Sequence, residues 1–315
     1  MTLIRNFLKT IKARGLKIAL NATFQHTKGL FLKLKGQDLI KKDIYDYKMY
    51  LDLNDRGISR ALLLFGNREL EHKYILEKIL KPEMNVLDIG ANIGYYALME
   101  LNLIGRNGKL IAVEPSKTNV SLLRKNLKLN SKENVEIHEA AISDKNSIKE
   151  FHLSSQSNLN TFHNIGTGVE HLSGETINVN TMTLEKVLGG RKVNLIRMDV
   201  EGHEVEILNS LVNSYEKIIK KPMVLFETHL SRYNEEHNFQ KTLNDLFKLG
   251  YYIDYLGSSS ENGTSLINNL GYKSIKEIKT DGDKRSIFRK ISTKDAIDLI
   301  CKTGGIRTVL LCPPN

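Results

Sequence analysis

The chain has 315 residues, of which 41% are apolar and 26% charged, a composition typical of a soluble globular protein that excludes general disorder. Its two cysteines, Cys301 and Cys312, form neither a CxxC pair nor a disulfide framework, so we expect a reducing, cytoplasmic compartment. The net charge of +10 lies mostly in residues 1–42, which hold ten Lys/Arg and one acid, and this distribution argues against a broad nucleic-acid-binding face on the body.

The first twenty residues are predicted to form a basic amphipathic helix. Among scattered lysines and arginines, apolar residues recur at helical spacing at Leu3, Ile4, Phe7, Leu8, Ile11 and Ile18. The sequence leaves open whether this helix packs on the body or makes a peripheral membrane contact. No apolar run reaches the roughly 18 residues that span a bilayer, and we predict neither a transmembrane helix nor a signal peptide. Farther along, the alternation in GLFLKLK (29–35) predicts a strand.

From residue 69 onward, predicted strands alternate with predicted helices. The pattern begins with a helix over 69–80, strands over 85–89 and 109–113 and helices over 94–103 and 116–129. Further strands are predicted over 134–139 and in VNLIRMDV, PMVLFETH, GYYIDYL, RSIFRKI and IRTVLLC, and residues 154–174 read as a long polar loop or lid. The alternation predicts an α/β fold with a mostly parallel, doubly wound sheet. We assign residues 1–67 to a basic accessory segment and 68–315 to the main domain.

The end of the first predicted strand of this domain, VLDIGANIGYYAL, is typical of a cofactor-binding turn. Ligands of doubly wound sheets bind beyond the carboxyl ends of the strands, where Gly90 and Gly94 allow close approach to the backbone. Asn92 occupies the place of the second glycine of a dinucleotide fingerprint, which argues against a nicotinamide oxidoreductase. Asp88 would repel a pyrophosphate and suits a cation.

Glu114 ends the second strand, where an acid can accept hydrogen bonds from both hydroxyls of a ribose. Together with Asp88, it suits a ligand that has a ribose and a positive charge but no phosphate, and S-adenosylmethionine is such a ligand. We expect Asp88 and the turn that follows it to face the amino-acid part and the sulfonium. The strand end at 139–144 is expected to flank the adenine.

Four stretches together resemble the FkbM family of S-adenosylmethionine-dependent methyltransferases: VLDIGANIGYYAL, AVEPSKTNVSLLRKNLKLN, the alanine pair before Ser143-Asp144, and LIRMDVEGHEVEIL. The resemblance covers about residues 69–228. It implies a class I methyltransferase fold with a Rossmann-like seven-stranded sheet, and O-methylation of a hydroxyl on a sugar, glycolipid or related small scaffold. The cofactor-binding residues that it implies are Asp88, Gly90, Ala91, Asn92, Gly94, Glu114, Ala141 and Asp199.

The DVEGHE motif supplies the candidates for catalysis. Methyl transfer is an in-line displacement, and a positioned base helps because a protonated alcohol is a poor nucleophile. The candidate bases are Asp199, Glu201, His203 and Glu227, whereas His229 is equally well explained as a structural histidine. The spacing D-x-E-x-H matches no reliable metal-ligand pattern, so we predict no metal site.

Two other functions stay open at this level. An RNA ribose methyltransferase, or another nucleic-acid methyltransferase, is the main alternative. Methylation of base amino groups typically requires an Asn/Asp-Pro-Pro-aromatic motif at the fourth strand, and the chain's only Pro-Pro pair lies elsewhere, at Pro313-Pro314. This argument does not exclude ribose methylation. The near-neutral charge of the body also disfavours it. A non-catalytic binding module is disfavoured because the three acids Asp88, Glu114 and Asp199 are present. The sequence does not indicate an oligomeric state.

Overall fold

The computed structural model describes residues 2–164 and 169–314. Residues 165–168 of the predicted polar loop, and the side chain of Leu3, lie outside the described residues. The α-helices of the described chain are α1 (Thr2–Arg14), α2 (Leu16–Leu34), α3 (Ile58–Phe65), α4 (Leu70–Ile79), α5 (Tyr95–Ile104), α6 (Lys117–Leu129), α7 (Leu184–Leu188), α8 (Glu204–Asn213), α9 (Phe239–Lys248), α10 (Glu261–Asn269) and α11 (Thr293–Asp298).

The strands are more numerous than the sequence predicts. They are β1 (Leu39–Ile44), β2 (Tyr47–Asp52), β3 (Asn85–Ile89), β4 (Lys109–Val113), β5 (Val135–His138), β6 (Ala141–Ile142), β7 (Ser147–Ser154), β8 (Leu172–Met182), β9 (Leu195–Met198), β10 (Met223–Glu227), β11 (Tyr252–Ser258), β12 (Lys276–Thr280), β13 (Asp283–Arg289) and β14 (Ile306–Cys312).

A nine-stranded central sheet, with the order β12-β13-β11-β14-β10-β9-β3-β4-β5, organises the molecule. The five strands from β10 to β5 are parallel, and β14 is antiparallel to both of its neighbours. The predicted doubly wound, mostly parallel α/β sheet is therefore confirmed. It carries two more strands than the seven expected, because β12 and β13 extend the edge beyond β11 as a hairpin.

The order of the strands places a ligand site at the carboxyl ends of β3 and β9. The chain runs from β3 outward to β4 and β5, and then returns to form β9 and β10 on the other side of β3. This reversal is the topological switch point at which doubly wound sheets bind ligands. The backbone N–H of Asp199 donates to the carbonyl of Ile89 at 3.2 Å, so the first and fourth strands of the parallel set end side by side.

Hydrophobic cores cover both faces of the sheet. Val86 contributes to one core and its neighbour Leu87 to the other, as expected where successive side chains of a strand point to opposite faces. Ile44 and Met49, from the β1–β2 hairpin, are fully buried in the core that contains Val86. Part of the accessory segment thus shares a core with the main domain.

The N-terminus differs from the prediction in two ways. The expected helix over residues 1–20 is divided at Gly15, whose positive φ of 93° separates α1 from α2. The strand predicted over 29–35 is wrong, because these residues complete α2, where Gly29 packs closely against Leu63 of α3. A seven-residue alternation also fits a helix, and packing of α2 on α3 decides between them. None of the helices within 2–164 and 169–314 has the length and apolar content needed to cross a membrane.

Candidate active site

Two cavities that share residues open at the carboxyl ends of the parallel strands. The first contains about 500 Å³ of space, part of it open to solvent. Its wall comes from the β3 turn, the β4 end, the residues around β6, the segment from β7 into the polar loop, and the DVEGHE motif. The second encloses about 380 Å³. Gly90, Asn92, Asn158 and Asp199 line both.

Glu114 lies in the wall of the first cavity with its carboxylate held by three donors. One oxygen accepts hydrogen bonds from the backbone N–H of Ser116 at 3.0 Å and from Nδ2 of Asn119 at 3.1 Å. The other accepts from the backbone N–H of Asn92 at 2.9 Å. Burial raises the pKa of the Glu114 carboxyl to about 7, against the effect of these donors. The carboxylate keeps acceptor capacity on Oε2 for a ligand.

The turn after β3 requires a glycine at position 90. Gly90 has a φ of +77°, and a Cβ there would lie 2.2 Å from the carbonyl oxygen of Asp199. The loop can therefore touch the end of β9 only without a side chain. Asn92 has a φ of +49°, uncommon for a non-glycine residue, and its Nδ2 donates to the carbonyl of Ser157 at 3.1 Å.

Asp88 lies behind this turn rather than in a cavity wall. It is fully buried, and its Oδ1 is 3.1 Å from Nη1 of Arg197, the residue beside it on β9. The other amine, Nη2, is 3.3 Å from Oδ2 of Asp199, and the guanidinium stacks on Tyr96 at 4.0 Å from the ring centroid. Sequence reasoning missed Arg197, although a charged residue inside the apolar strand LIRM was a signal.

The apolar end of the first cavity is formed by Ala141, Ile142, Phe151 and Phe162. The rings of Phe151 and Phe162 are 4.8 Å apart. His203, a candidate base in the sequence, lies at this end, because its Nε2 is 3.1 Å from Oγ of Ser143 and its ring is 4.5 Å from Phe162.

Both ring nitrogens of His203 are engaged away from the candidate carboxylates. Its Nδ1 contacts Nε2 of His163 and Oε2 of Glu206, each at 3.3 Å. Burial lowers the pKa of His203 to about 4, so the ring is neutral near pH 7. The structure thus does not bring His203 together with Glu201 and Glu227 as an acid–base group.

The acids of the DVEGHE motif meet β10 at the opposite end. His229 Nε2 is 3.6 Å from Oε2 of Glu201 and 3.9 Å from Oε1 of Glu227, while its Nδ1 is 2.8 Å from Oε1 of Glu204. Burial opposes the charge of His229, but Glu204 and Glu201 outweigh burial and raise its pKa to about 10. His229, which the sequence left undecided, is therefore a charged member of this cluster.

Glu201, like Asp199, lines the first cavity, and it is the one of the two that contacts His229 at 3.6 Å. Burial raises the pKa of Glu201 to about 7, although the neighbouring His229 acts in the other direction. Its φ of +51° and the φ of +105° at Gly202 turn the chain sharply between β9 and α8. A left-handed conformation at a non-glycine residue costs roughly 1–3 kcal/mol and is often found at functional sites.

Glu227 is held by an arginine that sequence reasoning also missed. Nη1 of Arg307, on β14, is 2.7 Å from Oε1 of Glu227, and its Nη2 is 2.9 Å from Oε1 of Glu69. Glu69 also accepts a hydrogen bond from the hydroxyl of Tyr96 at 2.7 Å. Burial raises the pKa of Glu227 to about 8 despite Arg307. Glu69 and its neighbour Arg68 line the second cavity.

Part of the predicted polar loop covers the first cavity. Ser157, Asn158, Asn160 and Phe162 line it, and Oδ1 of Asp55 accepts from the backbone N–H of Ser157 at 3.0 Å. Oγ of Ser157 and Oδ1 of Asn158 are buried without a hydrogen-bond partner among the described residues. Buried polar groups without partners are costly, so these two atoms are suited to bind a polar ligand.

Comparison with known proteins identifies the family of the chain. The family model for the methyltransferase FkbM domain matches residues 88–253. No curated protein sequence matches the chain. Among solved structures, an FkbM methyltransferase from Methylobacillus flagellatus is similar with 12% identity and a TM-score of 0.35, over 73% of this chain and 52% of that one.

Two further structures are similar over more of the chain. An O-methyltransferase from Thermotoga maritima, described as dependent on S-adenosylmethionine, has 11% identity and a TM-score of 0.41, over 89% of this chain and 87% of that one. The M. jannaschii protein TYW2, solved in complex with AdoMet, has 14% identity and a TM-score of 0.42, over 87% and 84%.

Proposed function

Since the chain belongs to the FkbM family of S-adenosylmethionine-dependent methyltransferases, we propose that it transfers the methyl group to a hydroxyl of a sugar, a glycolipid or a related small scaffold. The methyl donor is S-adenosyl-L-methionine, which supplies an electrophilic methyl group on a positively charged sulfur. The observation that carries the proposal is the Glu201 carboxylate, which lines the cavity beside Asp199 and has a pKa raised to about 7.

The residues around the two cavities fit this cofactor. Glu114 would accept hydrogen bonds from the ribose, and the two unpartnered polar atoms of Ser157 and Asn158 would meet other polar groups of the adenosine. The second cavity contains groups of both charges, among them Arg68 and Glu69, and this suits an aminocarboxylate end. The ring of Phe162 would pack on the adenine of the cofactor.

Glu201 is the group that we assign to proton removal. An alcohol attacks a methyl group far better when its proton is taken up, and a base with a pKa near the working pH is most effective. A carboxyl with a pKa of about 7 is ionised in a large fraction of molecules at neutral pH. The charged ring of His229, 3.6 Å away, orients that carboxylate.

The charge of the acceptor end supports a neutral polyhydroxy acceptor. Asp199 and Glu201, which line the first cavity, offer hydrogen-bond acceptors, and a sugar offers several hydroxyl donors. The same carboxylates would repel the phosphates of a nucleic acid, whose binding depends on Lys and Arg. Arg307 neutralises part of the charge, but it is committed to Glu227 and Glu69.

Transfer of a radiolabelled methyl group tests the acceptor class. The full-length protein is incubated with labelled S-adenosylmethionine and with separate glycan, lipid, RNA and protein fractions. We expect label in the glycan or glycolipid fraction, stable to mild base because an ether has formed. The Glu201→Gln variant should bind the cofactor but transfer little label. Label found only in RNA or protein would overturn the proposal.

A further inference from the structure

Three histidines and a glutamate converge beside the cavity, outside the acid cluster described above. Nδ1 of His203 lies 3.3 Å from both Nε2 of His163 and Oε2 of Glu206. Nε2 of His237 lies 2.9 Å from the same glutamate oxygen. The ligand atoms of His163, Glu206 and His237 all lie within 4.8 Å of one another. Three ligand atoms therefore lie within reach of one ion, and Nδ1 of His203, which contacts His163 and Glu206, is placed beside them as a candidate fourth ligand.

In two of these histidines, His203 and His237, the ring nitrogen that faces away from the cluster makes a hydrogen bond, and this bond orients the ring. Oγ of Ser143 lies 3.1 Å from Oδ1 of Asp144 and 3.1 Å from Nε2 of His203, and when the hydroxyl donates to Asp144 it accepts the proton of His203 Nε2. Likewise Nδ1 of His237 is 3.0 Å from the carbonyl of Arg232, an acceptor only. With Nε2 of His203 and Nδ1 of His237 committed to these hydrogen bonds, Nδ1 of His203 and Nε2 of His237 are the nitrogens that a bound ion would take, and hydrogen bonds of this kind orient metal ligands.

We propose that His163, His203, Glu206 and His237 form a binding site for a divalent transition-metal ion, with Zn²⁺ as the best fit. Zn²⁺ prefers four nitrogen, sulfur or carboxylate ligands in a tetrahedron, at about 2.0–2.2 Å for imidazole and carboxylate. Ligand atoms so placed lie roughly 3.3–3.5 Å from each other. The two contacts of His203 Nδ1, each at 3.3 Å, match this spacing, and the contact between His237 and Glu206 at 2.9 Å is shorter. Mg²⁺ and Ca²⁺ prefer oxygen ligands, so a site dominated by imidazole disfavours both.

Such an ion would link the polar loop that covers the first cavity to the DVEGHE motif. His163 follows Phe162, which lines the cofactor cavity, and the hydroxyl of nearby Thr161 donates to the carbonyl of Glu201 at 2.9 Å. His203 and Glu206 belong to the start of α8, and His237 precedes α9. The metal would join three segments that are distant in sequence, and its role would be to order the loop over the cofactor.

Metal analysis of the intact protein tests the site. The protein is stripped with a chelator, reloaded with Zn²⁺ or Co²⁺ and dialysed, and we expect about one equivalent of metal and a tetrahedral Co²⁺ absorption spectrum. His163→Ala and His237→Ala should each lose the metal and the spectrum. Ser143→Ala keeps all four ligands and should weaken the affinity about 10- to 100-fold.

His138→Ala is the matched control, because His138 also pairs with a glutamate, at 2.6 Å from Glu136, but lies on β5. This variant should retain one equivalent of metal. A wild-type protein that retains none would overturn the proposal. So would equal metal retention in His163→Ala and His138→Ala, which would place the ion elsewhere. If a variant folds poorly, melting curves with and without Zn²⁺ replace the metal count, because an ion that binds the folded wild-type protein should raise its Tm and should not raise that of the variant.

A second, independent observation concerns α2, which has its bulky apolar residues on the outside. The face packed on the body consists of small residues, with Ala19, Ala22 and Gly29 buried. The opposite face exposes Leu16, Leu20, Phe24, Phe31 and Leu34, with 64% of Phe24 and 88% of Leu34 accessible. Exposed apolar residues at helical spacing mark a contact surface.

The charge around this face indicates its partner. Residues 1–34 contain seven Lys/Arg and no acid. Lys28 is exposed, follows Phe24 by four residues and precedes Phe31 by three, so it lies beside the apolar face. In α1, Ile4 and Leu8 are exposed next to Lys9 and Lys12. A second copy of the chain would bring the same positive charge to the contact, whereas an anionic surface would complement it.

We infer that the apolar face of α2, with α1 beside it, docks the enzyme on an anionic lipid surface. Leu and Phe side chains would enter the boundary between headgroups and acyl chains, and the basic residues would attract acidic headgroups. The inference does not depend on the identity of the methyl acceptor. It extends the predicted contact of residues 1–20 to α2, whose face is the larger one.

Vesicle sedimentation tests this inference with the full chain. We expect the wild-type protein to sediment with vesicles containing phosphatidylglycerol and much less with pure phosphatidylcholine. The variant Phe24→Ser/Phe31→Ser should stay in the supernatant. Ile148→Ser/Ile219→Ser is the matched control, since both residues are more than 60% exposed elsewhere, and it should still sediment. Failure of the wild-type protein to sediment, or its dimerisation through Phe24 and Phe31, would overturn the inference.

Discussion

The two ends of the active-site cavity are built in different ways. At the ribose end, Glu114 is held by backbone and side-chain groups of Asn92, Ser116 and Asn119, all from two motifs close in sequence. At the acceptor end, Glu227 depends on Arg307 of β14 and His229 on Glu204 of α8. The contacts of the ribose end join residues close in sequence, whereas those of the acceptor end join segments that are distant in sequence.

This difference separates holding the cofactor from acting on the acceptor. The ribose end relies on turn geometry and uncharged hydrogen-bond donors, so we expect it to be insensitive to substitutions elsewhere in the chain. The acceptor end relies on buried charges, and removing one partner of a buried charge pair leaves the other uncompensated. We therefore expect substitutions at the acceptor end to reduce turnover, and substitutions at the ribose end to reduce cofactor affinity.

The largest effect is expected at the base. Glu201→Gln keeps the shape of the side chain but removes proton acceptance, so kcat should fall about 10²- to 10⁴-fold. The dissociation constant of S-adenosylmethionine, measured by calorimetry, should change little. Glu175→Gln, a substitution of an exposed acid on β8, is the control. A larger loss in Glu227→Gln than in Glu201→Gln would mean that the base has been assigned to the wrong residue.

A smaller effect is expected at the ribose end. Glu114→Ala removes a charged hydrogen-bond partner of the ligand, and such bonds contribute about 1.5–3 kcal/mol. The affinity for S-adenosylmethionine should therefore fall about 10- to 150-fold in calorimetry. At saturating cofactor, kcat should be largely restored. A collapse of kcat at saturation would erase the distinction between the two ends.

The sequence predicted the parallel sheet and the ribose end because both leave local marks. Strands alternating with helices dictate the sheet, and a glycine turn followed by an acid at the next strand end dictates the position of Glu114. In the edge hairpin, β13 was predicted from RSIFRKI, but its partner β12 was not, since an edge hairpin carries no helical crossover. At the end of α2, the alternation of apolar and polar residues in GLFLKLK (29–35) resembled a strand and hid the helical spacing.

The acceptor end could not be derived in the same way, because its contacts depend on register and turn geometry. Asp88 pairs with Arg197 because these residues are in register across β3 and β9, which neither strand reveals alone. His203 contacts Ser143 after a turn in which Glu201 and Gly202 both adopt positive φ, and the sequence does not reveal this turn geometry. The histidine cluster with His163 and His237 joins segments with no shared sequence pattern, which is why the sequence predicted no metal site.

A pair of glycine substitutions tests whether the two ends must touch. Gly90→Ala would place a Cβ 2.2 Å from the carbonyl of Asp199, whereas Gly105→Ala, with a similar φ of +69°, meets no atom within 4 Å. Both substitutions carry backbone strain of about 1–3 kcal/mol. Only Gly90→Ala adds a clash, so its unfolding free energy should be lower by about another 1–3 kcal/mol in urea titration. Equal losses would show that the turn can move away from β9.

The pH dependence of turnover gives the smallest effect and separates the two ends most directly. Burial raises the pKa of Glu201 to about 7, and the base works only when ionised. kcat should therefore increase as the pH rises from 6 to 8, by about tenfold, and level off above that range. Glu114 also has a pKa raised to about 7. Glu114 affects binding of the cofactor rather than proton removal, so its titration does not contribute to kcat measured at saturating S-adenosylmethionine.

The Glu201→Gln variant is the control for this profile. Its residual turnover should lack the increase, because the glutamine side chain does not titrate. A wild-type profile that is flat between pH 6 and 8, or an increase that persists in Glu201→Gln, would assign proton removal to another group.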